Sequence, residues 1–494
     1  MAQDNEERHL TTLDRDLGRF SSLEYASHAV ARPMVGFGVA LAFMVVAGLG
    51  AALFFTGASS PYLVIAAAIV GAYMAINIGA NDVANNMGPA VGANALTMGG
   101  AIAIAAICES AGALLAGGDV VSTISKGIID PESVAETNVF VWAMMAALIS
   151  SALWVNLATW VGAPVSTTHS VVGGVMGAGV AAAGLGAVNW PVMSAIAASW
   201  VISPLLGGLI AAGVLFFIKT YIIYQDDKIA AARRWVPVLV GVMAAAFAAY
   251  LAMKGLKRII KIDIGTALMI GAAIGVLVYA ATVPMIRRQS EGLENRNKSL
   301  KALFSLPLVF SAALLSFAHG ANDVANAVGP LAAIVHATEF GGFDGKVAIP
   351  LWVMVIGAFG ISFGLVLFGP KLIRMVGSQI TKLNPMRAYC VALSAAITVI
   401  VASWLGLPVS STHIAVGAVF GVGFFREWYS ERRLRRHSKN RAQTMIIASQ
   451  ERRRRKLVRR SHFMTIVAAW VITVPAAALL SALLFVVLNS AFSI

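Results

Sequence analysis

Residues 79–85 read Gly-Ala-Asn-Asp-Val-Ala-Asn, and residues 320–326 repeat the same seven residues. We call this motif the first phrase. Both copies lie in apolar sequence, and each is followed by a Gly-Pro pair three residues further on. Each copy carries one acid, Asp82 or Asp323. An ionisable side chain at membrane depth is costly, so such residues mark a route or a binding site. Two matched acids therefore point to a functional site.

A second motif, which we call the second phrase, is also present twice. Residues 164–169 read Pro-Val-Ser-Thr-Thr-His, and residues 408–413 read Pro-Val-Ser-Ser-Thr-His. The copies of the first phrase are 241 residues apart (320 − 79), and those of the second are 244 apart (408 − 164). Nearly equal offsets indicate two homologous halves, and duplicated units of this kind are typical of secondary transporters.

The composition predicts an all-α polytopic membrane protein. Of the 494 residues, 59% are hydrophobic and 12% are charged, whereas soluble domains are about 45–50% apolar and about 25% charged. A membrane-spanning helix needs about 20 apolar residues, so the long uncharged stretches leave room for about 12–13 such helices. The two cysteines form no Cys-x-x-Cys motif, and we expect neither a zinc site nor another resident cofactor.

The positive charge of the chain is concentrated in one segment. The formal net charge is +14, and the loop 426–461 holds 14 Lys and Arg against 3 acidic residues. Cytoplasmic loops of membrane proteins are enriched in Lys and Arg. We therefore predict that this basic loop is cytoplasmic, and we do not expect the chain to bind nucleic acid.

Loop charges also predict that the two halves have opposite orientations. The loop 119–136 carries one Lys and four acids, whereas its counterpart 371–387 carries four basic residues and no acid. Corresponding loops would then lie on opposite sides of the membrane, as in inverted repeats with broken or re-entrant helices. The basic segment 254–261 does not fit, because the scheme places it outside. The predicted division is a cytoplasmic N-terminal tail plus an extra transmembrane helix at 1–60, a first inverted repeat at 61–218, connecting helices and loops at 219–301, and a second inverted repeat at 302–491.

The first phrase offers oxygen ligands for a cation. We expect Gly79 and the Gly-Pro pair to break the helix around it, which would free backbone groups at membrane depth. Carboxylate and amide oxygens would converge on Na⁺, or the acids could carry a proton; the alternative is a buried acid that only caps a broken helix. The predicted cation-coupling residues are Asn81, Asp82, Asn85, Asn322, Asp323 and Asn326, with Asp82 and Asp323 as the Na⁺ ligands if sodium is the coupling ion.

The second phrase predicts an anion site. Proline is favoured at a helix start and serine or threonine at its cap. The N-terminus of a short helix, with the positive end of its dipole, should therefore point into the protein. In the alternative reading the hydroxyls only bond to neighbouring backbone. The hydroxyl residues of this predicted anion site are Ser166, Thr167, Thr168, Ser410, Ser411 and Thr412.

Acids and hydroxyls in one site imply coupled transport. Nearby carboxylates would repel a tetrahedral oxyanion unless a cation or a proton neutralised them. The pattern therefore predicts a symporter that works by alternating access, with a passive anion channel as an alternative. An intramembrane enzyme is disfavoured. The glycine that precedes the acid in aspartyl-dyad proteases is absent, and the Ser and His of the second phrase are three residues apart at a helix start, where they can point to different faces.

The paired phrases resemble the signature of the inorganic phosphate transporter (PiT) family. The resemblance covers about residues 61–491 and includes Cys108–Gly112 and Ser125–Asp130. It implies symport of inorganic phosphate with Na⁺ or H⁺, a homodimer, and a multi-pass location in the bacterial inner membrane. By motif match, the hydroxyls would bind phosphate and the acids would couple the cation. A symporter of sulfate or another tetrahedral oxyanion stays the alternative.

Four further ionisable residues lie in or near these motifs. The resemblance implies a role in transport for Glu109. His169 and His413 follow the hydroxyls at equivalent positions, and either stabilise the helix or act on the anion or a proton. His319 has no such counterpart, since Ile78 occupies the matching position. We therefore expect His319 to be structural.

Overall fold

The computed structural model describes residues 34–55, 61–130, 133–134, 136–162, 165–255, 262–340, 349–375, 383–437 and 460–492. Within these residues every long regular element is a helix, as predicted. The helices are α1 Met34–Phe54, α2 Pro61–Gly92, α3 Met98–Ala116, α4 Gly118–Ser122, α5 Thr137–Val161, α6 Thr167–Ala183, α7 Trp190–Ile218, α8 Lys228–Lys254, α9 Ile264–Gln289, α10 Leu300–Leu303, α11 Ser305–Asp323, α12 Ala325–Phe340, α13 Leu351–Leu367, α14 Gly369–Met375, α15 Pro385–Trp404, α16 Ser411–His437 and α17 Arg460–Phe492.

The polytopic membrane architecture is confirmed. Among the described residues, ten helical segments are long and apolar enough to cross a membrane, and α13 is a shorter apolar helix. The sequence led us to expect about 12–13 spans. The extra N-terminal helix α1 is one of the ten, and it packs on α13 through Phe43 and Phe363, whose ring centroids are 4.8 Å apart. The tail before Met34 and most of the basic loop 426–461 lie outside the described residues.

The helix break expected at the first phrase is absent from one copy, at residues 79–85, and present in the other, at residues 320–326. Helix α2 runs without interruption through the whole of its copy, and the second copy is divided only at Val324, between α11 and α12. The glycines serve close packing instead. A Cβ on Gly79 would lie 1.9 Å from the backbone oxygen of Ile361, and one on Gly320 would lie 2.1 Å from that of Glu109. Backbone-to-backbone crossing therefore requires glycine at both positions.

These two crossings join the halves to each other. The first-phrase helix α2 packs on α13 of the second half, and α11 packs on α3 of the first half. Each half therefore has a helix that packs on a helix of the other half, and this pair of contacts reflects the duplication seen in the sequence. The limits of the two repeats and their inverted orientation stay predictions.

The second phrase opens a helix in each half, as predicted. Ser166 caps α6 and Ser410 caps α16, since each side-chain oxygen accepts a hydrogen bond from a backbone amide three residues later, at 3.1 and 3.3 Å. Helix α6 has 17 residues, whereas α16 has 27 and is longer than expected. Each helix follows a preceding one, so that α5–α6 and α15–α16 form two helical hairpins. Their tips meet, because the Thr168 hydroxyl donates to the carbonyl of Val409 at 3.0 Å.

Helices α8 and α9 connect the halves and pack mainly on each other. Lys254 at the end of α8 forms an ion pair with Asp119 of α4. Lys254 is the one basic residue of segment 254–261 that the structure describes. Its ion pair with an acid of loop 119–136 gives a physical reason for a basic residue on the same side as that loop.

Candidate functional site

The two acids of the first phrase lie at the centre of the molecule. Asp82 and Asp323 are each 1% exposed, and His319 beside them is fully buried. The Nε2 atom of His319 is 2.8 Å from a carboxylate oxygen of Asp323 and 3.9 Å from one of Asp82. One ligand atom from each residue lies within 4.8 Å of the others. The duplicated acids therefore share one site.

His319 is the residue that sequence reasoning missed. Its lack of a counterpart suggested a structural role, but the structure places it in contact with Asp323 and Glu109, with its Nδ1 atom 3.3 Å from Glu109 Oε1. A usable signal was its spacing. It precedes Asp323 by four residues in one helix, and residues so spaced lie on the same helix face.

Glu109 belongs to the same buried cluster. Its side chain is fully buried on α3, and Asn86 donates a hydrogen bond from Nδ2 to its Oε1 at 2.9 Å. The next residue, Ser110, pairs with Ser362 of α13 at 2.7 Å. The acid of α3 therefore belongs to the buried cluster, and the residue that follows it joins α3 to α13.

Three of the predicted hydroxyls contact the acids. Thr167 Oγ1 lies 2.8 Å from Asp82 Oδ2, and Thr412 Oγ1 lies 3.3 Å from Asp82 Oδ1. Ser411 Oγ lies 3.3 Å from Asp323 Oδ2. A carboxylate only accepts, so the hydroxyls are the donors. The predicted cation and anion residues thus form one hydrogen-bonded cluster.

The second asparagine of each phrase completes this cluster across the halves. Asn85 donates to the hydroxyl of Thr412 at 2.7 Å. Asn326 donates to the hydroxyls of Thr167 and Thr168 at 3.3 and 3.2 Å. Each amide therefore reaches a hydroxyl of the opposite half.

The first asparagine of each phrase is directed to a hairpin instead. Asn81 donates to Thr159 at 2.9 Å, and Asn322 donates to Ser403 at 3.0 Å. Asn322 also accepts from the backbone amide of Val409 at 3.2 Å. These bonds join each hairpin to the helix of the same half that carries the first phrase. The two asparagines therefore position the hairpins, which the sequence did not reveal.

His169 and His413 pack on each other behind the hairpin tips. Their ring centroids are 4.4 Å apart at an interplanar angle of 88°, and His169 also lies 3.9 Å from Trp200. Both are buried. Their ring packing favours a role in stabilising the helices over a direct role with the anion or a proton.

The site can hold charges of both signs. Pro89 and Pro330 lie inside α2 and α12. Because proline has no N–H, the carbonyls of Asn85 and Asn326, four residues earlier, lose their helical donors. The two carboxylates are hard oxygen ligands that suit Na⁺, and the two carbonyls are candidate ligands of the same kind, whereas the N-termini of α6 and α16 favour an anion. None of the predicted site residues Asn81, Asp82, Asn85, Glu109, Ser166, Thr167, Thr168, His169, Asn322, Asp323, Asn326, Ser410, Ser411, Thr412 and His413 is more than 8% exposed.

Comparisons with known proteins place the chain in a family. A family model described as "Phosphate transporter family" matches residues 78–481. The "Putative phosphate permease" of Helicobacter pylori is 52% identical over 429 residues, which are 86% of this chain and 80% of that protein. "Inorganic phosphate transporter 2-1, chloroplastic" of Arabidopsis thaliana is 35% identical over 94% of this chain and 79% of that protein. A solved structure described as "The sodium-dependent phosphate transporter" is similar with a TM-score of 0.77 and 34% identity, over 87% of this chain and 99% of that chain.

Proposed function

The chain belongs to the phosphate transporter family, and we propose that it is a secondary active symporter which imports inorganic phosphate with Na⁺ or H⁺ by alternating access. The relatives are named as permeases and transporters, and the chain is likewise a transporter and not an enzyme. It is a multi-pass membrane protein. We place it in the bacterial inner membrane as a homodimer of inverted repeats.

One observation carries the proposal: buried acids and hydroxyls of both halves form a single cluster. Two unit charges 4 Å apart interact by roughly 4 kcal/mol at an effective dielectric constant of 20. A phosphate oxyanion placed beside Asp82 and Asp323 would meet repulsion of that order from each. A cation bound at the same acids removes it, so phosphate and cation bind together.

The proposal assigns each group a role. Ser166, Thr167 and Thr168 with Ser410, Ser411 and Thr412 bind phosphate, helped by the N-termini of α6 and α16. Asp82, Asp323, Asn85 and Asn326 hold the cation, while Asn81 and Asn322 fix the hairpins. Glu109 and His319 set the charge around Asp323. His169 and His413 support the hairpin tips.

Uptake of labelled phosphate into proteoliposomes tests the proposal. Na⁺ and pH gradients are imposed separately, with unlabelled sulfate as competitor. We expect one of the gradients to drive accumulation, and excess sulfate to leave it unchanged. Uptake that follows no gradient would indicate a channel, and block by sulfate would change the substrate.

Two variants show whether the acids take part. Asp82→Asn and Asp323→Asn should abolish gradient-driven accumulation, because the amide lacks the negative charge that attracts Na⁺ and cannot take up a proton. Asp263→Asn is the matched control, since this acid caps α9 away from the site. Wild-type accumulation in either site variant would remove that acid from the mechanism.

A further inference from the structure

The two acids have different neighbours although they occupy equivalent positions in the two phrases. Asp82 accepts from two threonines, Thr167 of its own half and Thr412 of the other. Asp323 accepts from one hydroxyl, that of Ser411, and its second neighbour is His319 at 2.8 Å.

The difference arises at one position of the second phrase. By repeat pairing, Thr168 is the counterpart of Thr412 and would be expected to donate to Asp323. Its hydroxyl instead donates to the carbonyl of Val409 at 3.0 Å. Thr412 donates to Asp82, so among the described residues Asp82 accepts from hydroxyls of both halves and Asp323 from a hydroxyl of its own half.

The direction of these hydrogen bonds is fixed by two amides. Asn85 donates to Thr412 at 2.7 Å and Asn326 donates to Thr167 at 3.3 Å. An amide nitrogen has no acceptor capacity, so each threonine oxygen accepts from it. The single hydroxyl proton of each threonine is then directed to Asp82. Two series of hydrogen bonds, each running from an amide through a hydroxyl to a carboxylate, converge on Asp82.

We propose that Thr167 and Thr412 are exchange donors, whose hydroxyl protons go either to Asp82 or to the transported oxyanion. The proposal rests on the proposed function and adds how cation and anion are coupled. A hydroxyl has one proton and cannot donate to both acceptors at once. A cation at Asp82 weakens this carboxylate as an acceptor, and the oxyanion becomes the stronger partner. The cation therefore improves anion binding by freeing donors as well as by reducing repulsion.

The exchange has a signature in binding affinity that plain anion binding lacks. At low cation concentration a phosphate ion gains a hydroxyl bond only as Asp82 loses it, so this hydroxyl contributes little net affinity. At saturating cation the bond to phosphate is a net gain. Removing one hydroxyl should therefore weaken phosphate binding roughly tenfold at saturating cation and much less at low cation, by the strength of one charged hydrogen bond.

The test measures phosphate affinity of the purified full-length protein in nanodiscs, with labelled inorganic phosphate at low and saturating cation. The cation is Na⁺ exchanged for choline, or H⁺ varied by buffer, whichever changes wild-type affinity. Thr412→Val removes the hydroxyl while keeping the shape, and Thr412→Ser keeps the hydroxyl. We expect the ratio of the two affinities to fall roughly tenfold in the valine variant and to return in the serine variant.

Equal weakening at low and saturating cation would overturn the exchange, because the hydroxyl would then only bind phosphate. Thr167→Val repeats the test on the second series of hydrogen bonds. Thr168→Val is the matched comparison, since the Thr168 hydroxyl does not contact an acid in this structure. The ratio should fall in the former and stay in the latter. Wild-type protein whose phosphate affinity is the same at all cation concentrations would refute the proposed symport itself, and the exchange with it.

Discussion

The backbone crossing at Gly320 provides a sharp test of how packing positions the site. A Cβ at this position would lie 2.1 Å from the backbone oxygen of Glu109, whereas real Cβ contacts essentially never fall under 3.0 Å. Gly320→Ala must therefore separate α11 from α3 by at least 0.9 Å (3.0 − 2.1). No side chain can move aside to relieve this contact, because the obstacle is backbone.

The same displacement acts on the acid cluster. The crossing carries Glu109 on one helix and His319 on the other, and their contact is 3.3 Å. Widening it by 0.9 Å lengthens this contact to about 4.2 Å (3.3 + 0.9), which weakens the interaction between the two side chains. Overpacking of a well-packed interior costs about 1–3 kcal/mol. We expect a lower melting temperature of the purified protein and phosphate uptake reduced at least tenfold, since errors of about 1 Å in site geometry can cost up to a hundredfold.

Melting followed by tryptophan fluorescence and uptake into proteoliposomes measure the two effects. Gly213→Ala is the matched control, because a Cβ there meets nothing within 4 Å. It should melt at or above the wild-type temperature, since alanine is the better helix former. Wild-type melting and uptake in Gly320→Ala would show that the helices tolerate separation, and would refute the packing argument.

Three further changes test single groups. His319→Gln should reduce uptake at least tenfold with little loss of folded protein, because it removes the ring between Asp323 and Glu109; uptake near the wild-type rate would return His319 to a structural role. Pro89→Ala supplies an N–H for the carbonyl of Asn85 and should raise the Na⁺ concentration for half-maximal uptake severalfold, whereas Pro237→Ala in α8 should not; no change would remove that carbonyl from the cation site. Asp119→Asn should cost less than about 1 kcal/mol of stability in a melting assay, since Asp119 is 44% exposed; a larger loss would make the Asp119–Lys254 pair a structural anchor.

The sequence identified the acids and hydroxyls of the site because the motifs that contain them are each present in two copies. Doubling distinguishes Asp82 and Asp323 from chance polar residues, and the cap pattern predicts where α6 and α16 begin. It gives no information on how helices cross. Gly79 was read as a helix breaker, but its function depends on Ile361, which lies 282 residues away in sequence (361 − 79). The sequence of one helix cannot distinguish a glycine that breaks it from one that lets a second helix approach.

Repeat pairing also misled where the halves differ. It treats an unmatched residue such as His319 as incidental, yet a site on the boundary between two halves needs some groups only once. The imidazole lies 2.8 Å from Asp323 and 3.9 Å from Asp82, so one ring contacts or approaches both acids. A second histidine at position 78, which is Ile78 and fully buried, would bury another pair of polar nitrogens that need hydrogen-bond partners. Divergence at a matched pair of positions, such as Ile78 and His319, is therefore evidence for a shared central group.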